Sequence, residues 1–132
     1  MTQPRHRIYR FSPRGMVRLR IHVQGPGGWQ SIAALLDTGA AMTVVHPELL
    51  GLIGYNLNGW RESQAIVTAS RRETMAVVNV QTIAALGQTK YGYPIGIFAL
   101  PAATGVQALL GLDFFRGSRL TIDFQSGTLE LQ

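Results

Sequence analysis

Between Met16 and Gln24 the chain alternates with a period of two: Val17, Leu19, Ile21 and Val23 fall on one face, Arg18, Arg20, His22 and Gln24 on the other. Such alternation marks a half-buried strand. The turn cluster Gly25-Pro26-Gly27-Gly28 follows, then an apolar run from Trp29 to Leu36, and together they predict a hairpin. Thr43 to His46 is β-branched, and Pro47-Glu48-Leu49-Leu50 predicts a helical turn with proline at its start. Strands are predicted at 64–68 and 74–81 around a polar turn at 69–73, then at 83–86, 91–100 and 108–110. A short helix from Asp113 to about Arg116 is ended by Gly117. Leu120–Phe124 and Thr128–Leu131 form a last hairpin across Gln125-Ser126-Gly127. Many short strands punctuated by turns predict an all-β barrel or sandwich, with no internal repeat and no linker.

Composition narrows this reading. At 132 residues, with 46% hydrophobic and 14% charged positions, the chain is one compact domain. It has no cysteine, which excludes disulfides and thiolate metal sites. No apolar run approaches the ~18 residues of a membrane span, and MTQPRHRIYRF lacks the apolar core of a secretory signal. The expectation is a cytoplasmic protein without a membrane span. The net charge of +5 is concentrated at the start: Arg5, Arg7, Arg10, Arg14, Arg18 and Arg20 precede any acid, leaving six basic groups against seven acids afterwards. We therefore divide the chain into a basic N-terminal arm, 1–14, and a domain, 15–132. Arginines in a tail that runs into an edge strand discourage aggregation. A nucleic-acid role would instead give steeply salt-dependent binding that disappears without residues 1–14. No aromatic platform or known nucleic-acid module accompanies the arginines, so no nucleic-acid partner is expected.

The candidate chemistry lies in ALLDTGAAMTVV, residues 34–45, where the first acid of the chain, Asp37, ends an apolar strand. An unpaired carboxylate among apolar groups costs several kcal/mol or takes up a proton. Thr38-Gly39-Ala40 follows, a turn in which glycine permits close backbone approach. About seventy residues on comes Ala108-Leu109-Leu110-Gly111. Together with PELLGLIGY and LLGLDFFRGSRLTIDFQSGTLEL, these segments resemble the retropepsin-like aspartic peptidases, especially the small bacterial type with a single Asp-Thr-Gly-Ala motif. The resemblance runs from about Val17 to Leu131.

The resemblance implies a homodimeric acid-protease barrel with one short C-terminal helix, hydrolysing peptide bonds without a cofactor. Such an enzyme needs two carboxylates, and this chain has one Asp-Thr-Gly, so the second would be Asp37 of another copy. Thr38 would hydrogen-bond across the dimer beneath the acids, and Gly39 would offer a carbonyl to an extended peptide or protein substrate. Ala40 completes the active loop, and Leu109, Leu110 and Gly111 would support it from behind. The hairpin at Thr68, Ala69, Ser70 and Arg71 would be the flap that closes over substrate. Apolar pocket walls are expected from Leu35, Met42, Val44, the flap and residues 95–100.

Departures from the viral pattern are also visible. Ala41-Met42 replaces acids after the active loop, Leu112 replaces an arginine after the second glycine, and Arg71 stands where related flaps carry glycine. A second reading is therefore a retropepsin-like module that binds peptides or dimerises while cleaving poorly or not at all. Of the other polar residues, Asp113 is expected to cap the short helix and Asp123 to be a solvated or paired strand acid. Trp29 and Trp60 are expected to pack, and His46 to end a strand. His6, His22 and His46 have no ligand spacing, so no metal site is expected. No serine or threonine has a histidine and acid arranged as a serine-hydrolase triad.

Overall fold

The computed structural model describes residues 7–57, 63–67 and 72–132, with the backbone alone for 63–67 and 72–74. The predicted first hairpin is present: β2 (Arg18–Gly25) pairs antiparallel with β3 (Gly28–Leu36), Ile21 opposite Ile32. Before it, β1 (Ile8–Arg10) is an edge strand within the basic arm. The alternation of β2 becomes burial, with Ile21 and Val23 fully enclosed and Arg18, Arg20 and His22 exposed. Pro26-Gly27 turns against the segment after helix α1 (Pro47–Leu52), where Gly27 N–H donates to the Ile53 carbonyl at 2.8 Å. A Cβ on Gly25 would collide with Ile53 O and the Tyr55 ring, so only glycine allows that contact. His46 ends β4 (Val44–Val45) and caps α1 as well, its Nδ1 accepting from Glu48 N–H at 3.2 Å.

The middle of the chain departs from expectation. Segments 74–81 and 83–86 form one fourteen-residue strand, β6 (Arg72–Ala85), which follows β5 (Ser63–Val67). Thr82, left between the two expected strands, is with Gln81 the joint to neighbouring segments. Thr82 Oγ1 donates to Gln24 Oε1 at 2.8 Å, and Gln81 N–H donates to Tyr55 OH, also at 2.8 Å. Tyr55 OH in turn donates to Gln24 O. A two-residue turn, Leu86-Gly87, then leads into β7 (Gln88–Ile97), which begins three residues earlier and ends three earlier than expected. Both turn residues have positive φ, 51° and 77°, the backbone that matches strand twist in a tight hairpin.

β8 (Ala108–Leu110) falls where predicted. The C-terminal helix is a single 3-10 turn, Leu112–Phe115, and the one α-helix among the described residues is α1. β9 (Leu120–Asp123) and β10 (Thr128–Leu131) form the last hairpin. Strand order β2-β3-β8-β4-β7-β6, closed by β6 on β2, makes a barrel from which the outer half of β6 projects with β5. A second sheet, β1-β10-β9, covers one side with Leu129 and Leu131 turned inward. The core is continuous through Ile21, Ile32, Leu50, Val80, Ile95 and Phe114, each fully buried or within a percent or two of it. Trp29, expected to pack, is 54% exposed: its strand position, opposite Gln24, faces solvent although the turn beside it packs on Ile53. Trp60 lies outside the described residues.

Candidate active site

Three short strands set the position of Asp37. β8 lies between β3 and β4, parallel to the first (Leu36 beside Leu110) and antiparallel to the second (Val44 beside Leu109). A strand held on both sides has little freedom, so its end is a fixed point for the chain beside it. Asp37 leaves β3 there, and its N–H donates to Leu110 O at 3.0 Å. The loop then folds back, Ala40 N–H donating to Asp37 O at 3.1 Å. Leu112 N–H donates to Ala40 O at 2.8 Å and closes the second side. Asp37 through Ala40 and Leu109 through Gly111 are thus brought together.

Within the loop, Gly39 N–H donates to Asp37 Oδ1 at 2.9 Å. One carboxylate oxygen is thereby oriented by the backbone, and the side chain remains partly exposed beside exposed Thr38 and Gly39. Gly111 is required by contact. A Cβ there would lie 2.7 Å from Met42 C and 2.8 Å from Ala40 O, closer than backbone atoms tolerate. The proposed flap residues Thr68, Ala69, Ser70 and Arg71 lie outside the described residues. Their flanking strands are paired, Ser63 opposite Ala76 and Val67 opposite Arg72.

A polar network escaped the sequence reading. Thr43, fully buried, donates through Oγ1 to Asp113 Oδ1 at 2.9 Å and accepts from Gly111 N–H at 3.1 Å. Tyr93 OH donates to Asp113 Oδ2 at 2.6 Å. Burial first, then the hydrogen bond and charge of Asp113, push the Tyr93 hydroxyl well above its ordinary value, against a smaller opposing pull from Arg116. Asp113 is therefore not a cap: Gly111 occupies the cap position and makes no side-chain bond there. The carboxylate instead ties β7 and the residue ahead of β4 to the glycine that backs the active loop. A signal was present in Met42-Thr43-Val44-Val45, where one hydroxyl in an apolar strand needs a buried partner.

The expected pocket walls also change. Leu35, Val44 and Leu100 pack with Val106 in a separate buried cluster, with Met75 and Leu109 against it, and Ile95 is in the main core. Met42 and Ile97 remain partly exposed and Phe98 exposed. No group of three or more potential metal ligands occurs among the described residues.

The model of the gag-polyprotein putative aspartyl protease family matches residues 23–117, from β2 through the 3-10 turn, and so takes in both the Asp37 loop and Gly111. The chain belongs to that family. A retropepsin-like aspartic protease from Rickettsia conorii has a similar crystal structure, with a TM-score of 0.70 and 17% identity over 96% of this chain and 89% of that one. The gag-type aspartyl protease fold of this chain is accordingly retropepsin-like, mostly β with a closed barrel. No curated protein matches the sequence.

Proposed function

We propose that this protein is an aspartic endopeptidase that works as a homodimer, with Asp37 of each copy facing the other across a two-fold axis. The observation that carries the proposal is the Asp37 loop itself: a partly exposed carboxylate, oriented by Gly39 N–H and pinned to the end of β8. The chain has one such loop, so a two-carboxylate site needs a second copy. The free edge of the second sheet supports pairing with a second copy. The sheet β1-β10-β9 ends at β9, and Phe124, beside that edge, is 61% exposed.

Two carboxylates about 3 Å apart cannot both ionise, and one proton is shared between them. The ionised member takes a proton from water as its oxygen bonds to the scissile carbonyl carbon. The protonated member gives its proton to the carbonyl oxygen, producing a tetrahedral diol. On collapse one diol hydroxyl gives its proton to the ionised carboxylate while the protonated one gives its proton to the nitrogen, so the C–N bond breaks, acid and amine leave, and the pair again holds one proton. Substrate lies extended under the 68–71 hairpin as an added strand. Met42, Ile97 and Phe98 favour apolar side chains near the cut. A cysteine-free chain suits the reducing cytoplasm, which we propose as its site of action.

The test is cleavage of a diverse peptide pool between pH 4 and 7, at concentrations that force dimerisation, by the wild type and by Asp37→Asn. Cuts should be made by the wild type alone and fall at least about 10³-fold in the variant. A dimeric wild type that makes no cuts would favour the peptide-binding module instead.

A further inference from the structure

Folding gathers the arginines of the N-terminal region into one place. An open groove of about 560 Å³ lies between β1, the outer face of β2 and the Leu86-Gly87 turn. Arg7 and Arg10 line it from the arm, and Arg18, Arg20 and His22 from β2, where alternate positions share a face. Among the described residues the remaining walls are neutral, with no aspartate or glutamate in the lining. Arg20 Nε–H donates to Ser31 Oγ at 2.8 Å, which orients the guanidinium while using one of its five donors. Arg18 reaches the carbonyl of Thr104 at 3.4 Å, also a neutral partner. None of the lining residues belongs to the Asp37 loop or to 109–112.

We propose that this groove is a binding site for an oligophosphate, a ligand that carries two or more phosphoryl groups in close succession. Arginines that line one concavity repel one another, although the head of Arg18 leans out to Thr104, and a compact multiply charged anion relieves that repulsion more fully than isolated carboxylates do. Guanidinium forks match phosphate oxygens two at a time. The volume lies in the range of small-molecule sites. Among the described lining residues Tyr9 is the one aromatic of the Phe, Tyr and Trp type, and a single partly buried ring is no stacking track for a nucleic-acid strand.

The probe is inorganic tripolyphosphate, titrated calorimetrically into the full chain at 50 and 200 mM salt. Binding should weaken at least tenfold in the Arg10→Gln/Arg20→Gln double variant. It should stay within twofold of wild type in Arg116→Gln/Arg119→Gln, which removes the same charge elsewhere. Circular dichroism and thermal melting confirm that both variants fold, and Arg7→Gln supplies an independent second loss. Phosphatidylcholine vesicles with a few per cent phosphatidylinositol bisphosphate identify the source. Binding to these in preference to soluble tripolyphosphate assigns the groove to a lipid headgroup, and the reverse assigns it to a free oligophosphate. Equal weakening in the two double variants, no binding of either probe, or tighter binding of a twelve-nucleotide strand would each overturn the proposal.

Discussion

Gly111 and Asp113 show how much of the site depends on single atoms. A methyl group on Gly111 would press on Met42 C and Ala40 O, both in the loop that carries Asp37. Gly111→Ala should destabilise the fold by about 1–3 kcal/mol, and thermal melting measures it directly. Peptide cleavage by whatever folds should fall further than stability alone requires, because the loop itself is displaced. Asp113→Ala leaves the buried Thr43 hydroxyl and the Tyr93 hydroxyl without their acceptor, at a cost of about 2–4 kcal/mol. The same contact gives a signature in alkali. The Tyr93 hydroxyl is held protonated above its ordinary value of 10.0, so the native chain keeps a proton that the unfolded chain releases. Its contribution is complete below about pH 10 and is lost as pH rises through the folded-state value. Tyr93→Phe should therefore flatten the loss of stability above pH 10, as urea midpoints at pH 9, 10 and 11 would show. Asp37, Gly39 and Gly111 were legible in the sequence because glycine and an acid in an apolar strand are conspicuous. For Thr43 the lone hydroxyl in an apolar strand was a signal, but neither its acceptor, 70 residues on, nor that of Tyr93, 20 residues on, is named by any local pattern.

At the scale of elements, the alternating and β-branched segments were read well and the joints between them less so. β2 emerged from periodicity, because one face is buried and the alternation records it, and β3 and β8 emerged as apolar runs. β6 was divided in two at Thr82, since a polar residue in mid-strand resembles a break until Gln24 is placed opposite it. The real turn was hidden by Leu86, an apolar residue at φ 51° that is 8% exposed. Here burial outweighed the preference of such turns for asparagine or glycine. The 123–128 connection is the opposite case, with conspicuous turn chemistry. Asp123 Oδ1 accepts from Gln125 N–H at 2.8 Å and from Ser126 N–H at 3.1 Å, an Asx-type turn. The bonds from Ser126, then that from Gln125, hold this carboxyl below its ordinary range. Its contribution is present above about pH 4 and lost as pH falls through the lowered value. Asp123→Ala should remove part of the acid-induced destabilisation, with melting temperatures of the two proteins converging between pH 5 and 2.

The whole molecule carries the most demanding expectation, because its proposed chemistry needs something one chain lacks. A single retropepsin-like barrel presents one Asp37 and cannot form the shared-proton pair, so catalysis and assembly must rise together. Ala41-Met42 and Leu112 stand where the viral pattern has charged groups, so the proposed dimer would rest on the β9 edge and exposed apolar side chains such as Phe124. An interface of this kind should be little affected by salt, unlike one built from ion pairs. Specific activity should then rise with protein concentration until the dimer saturates, and its midpoint should coincide with that of the monomer–dimer transition seen by sedimentation. Phe124→Lys, a charge placed beside the β9 edge, should move both midpoints upward by at least tenfold and leave the plateau activity unchanged. If activity per chain stays constant while the monomer fraction varies, the two-copy active site is wrong.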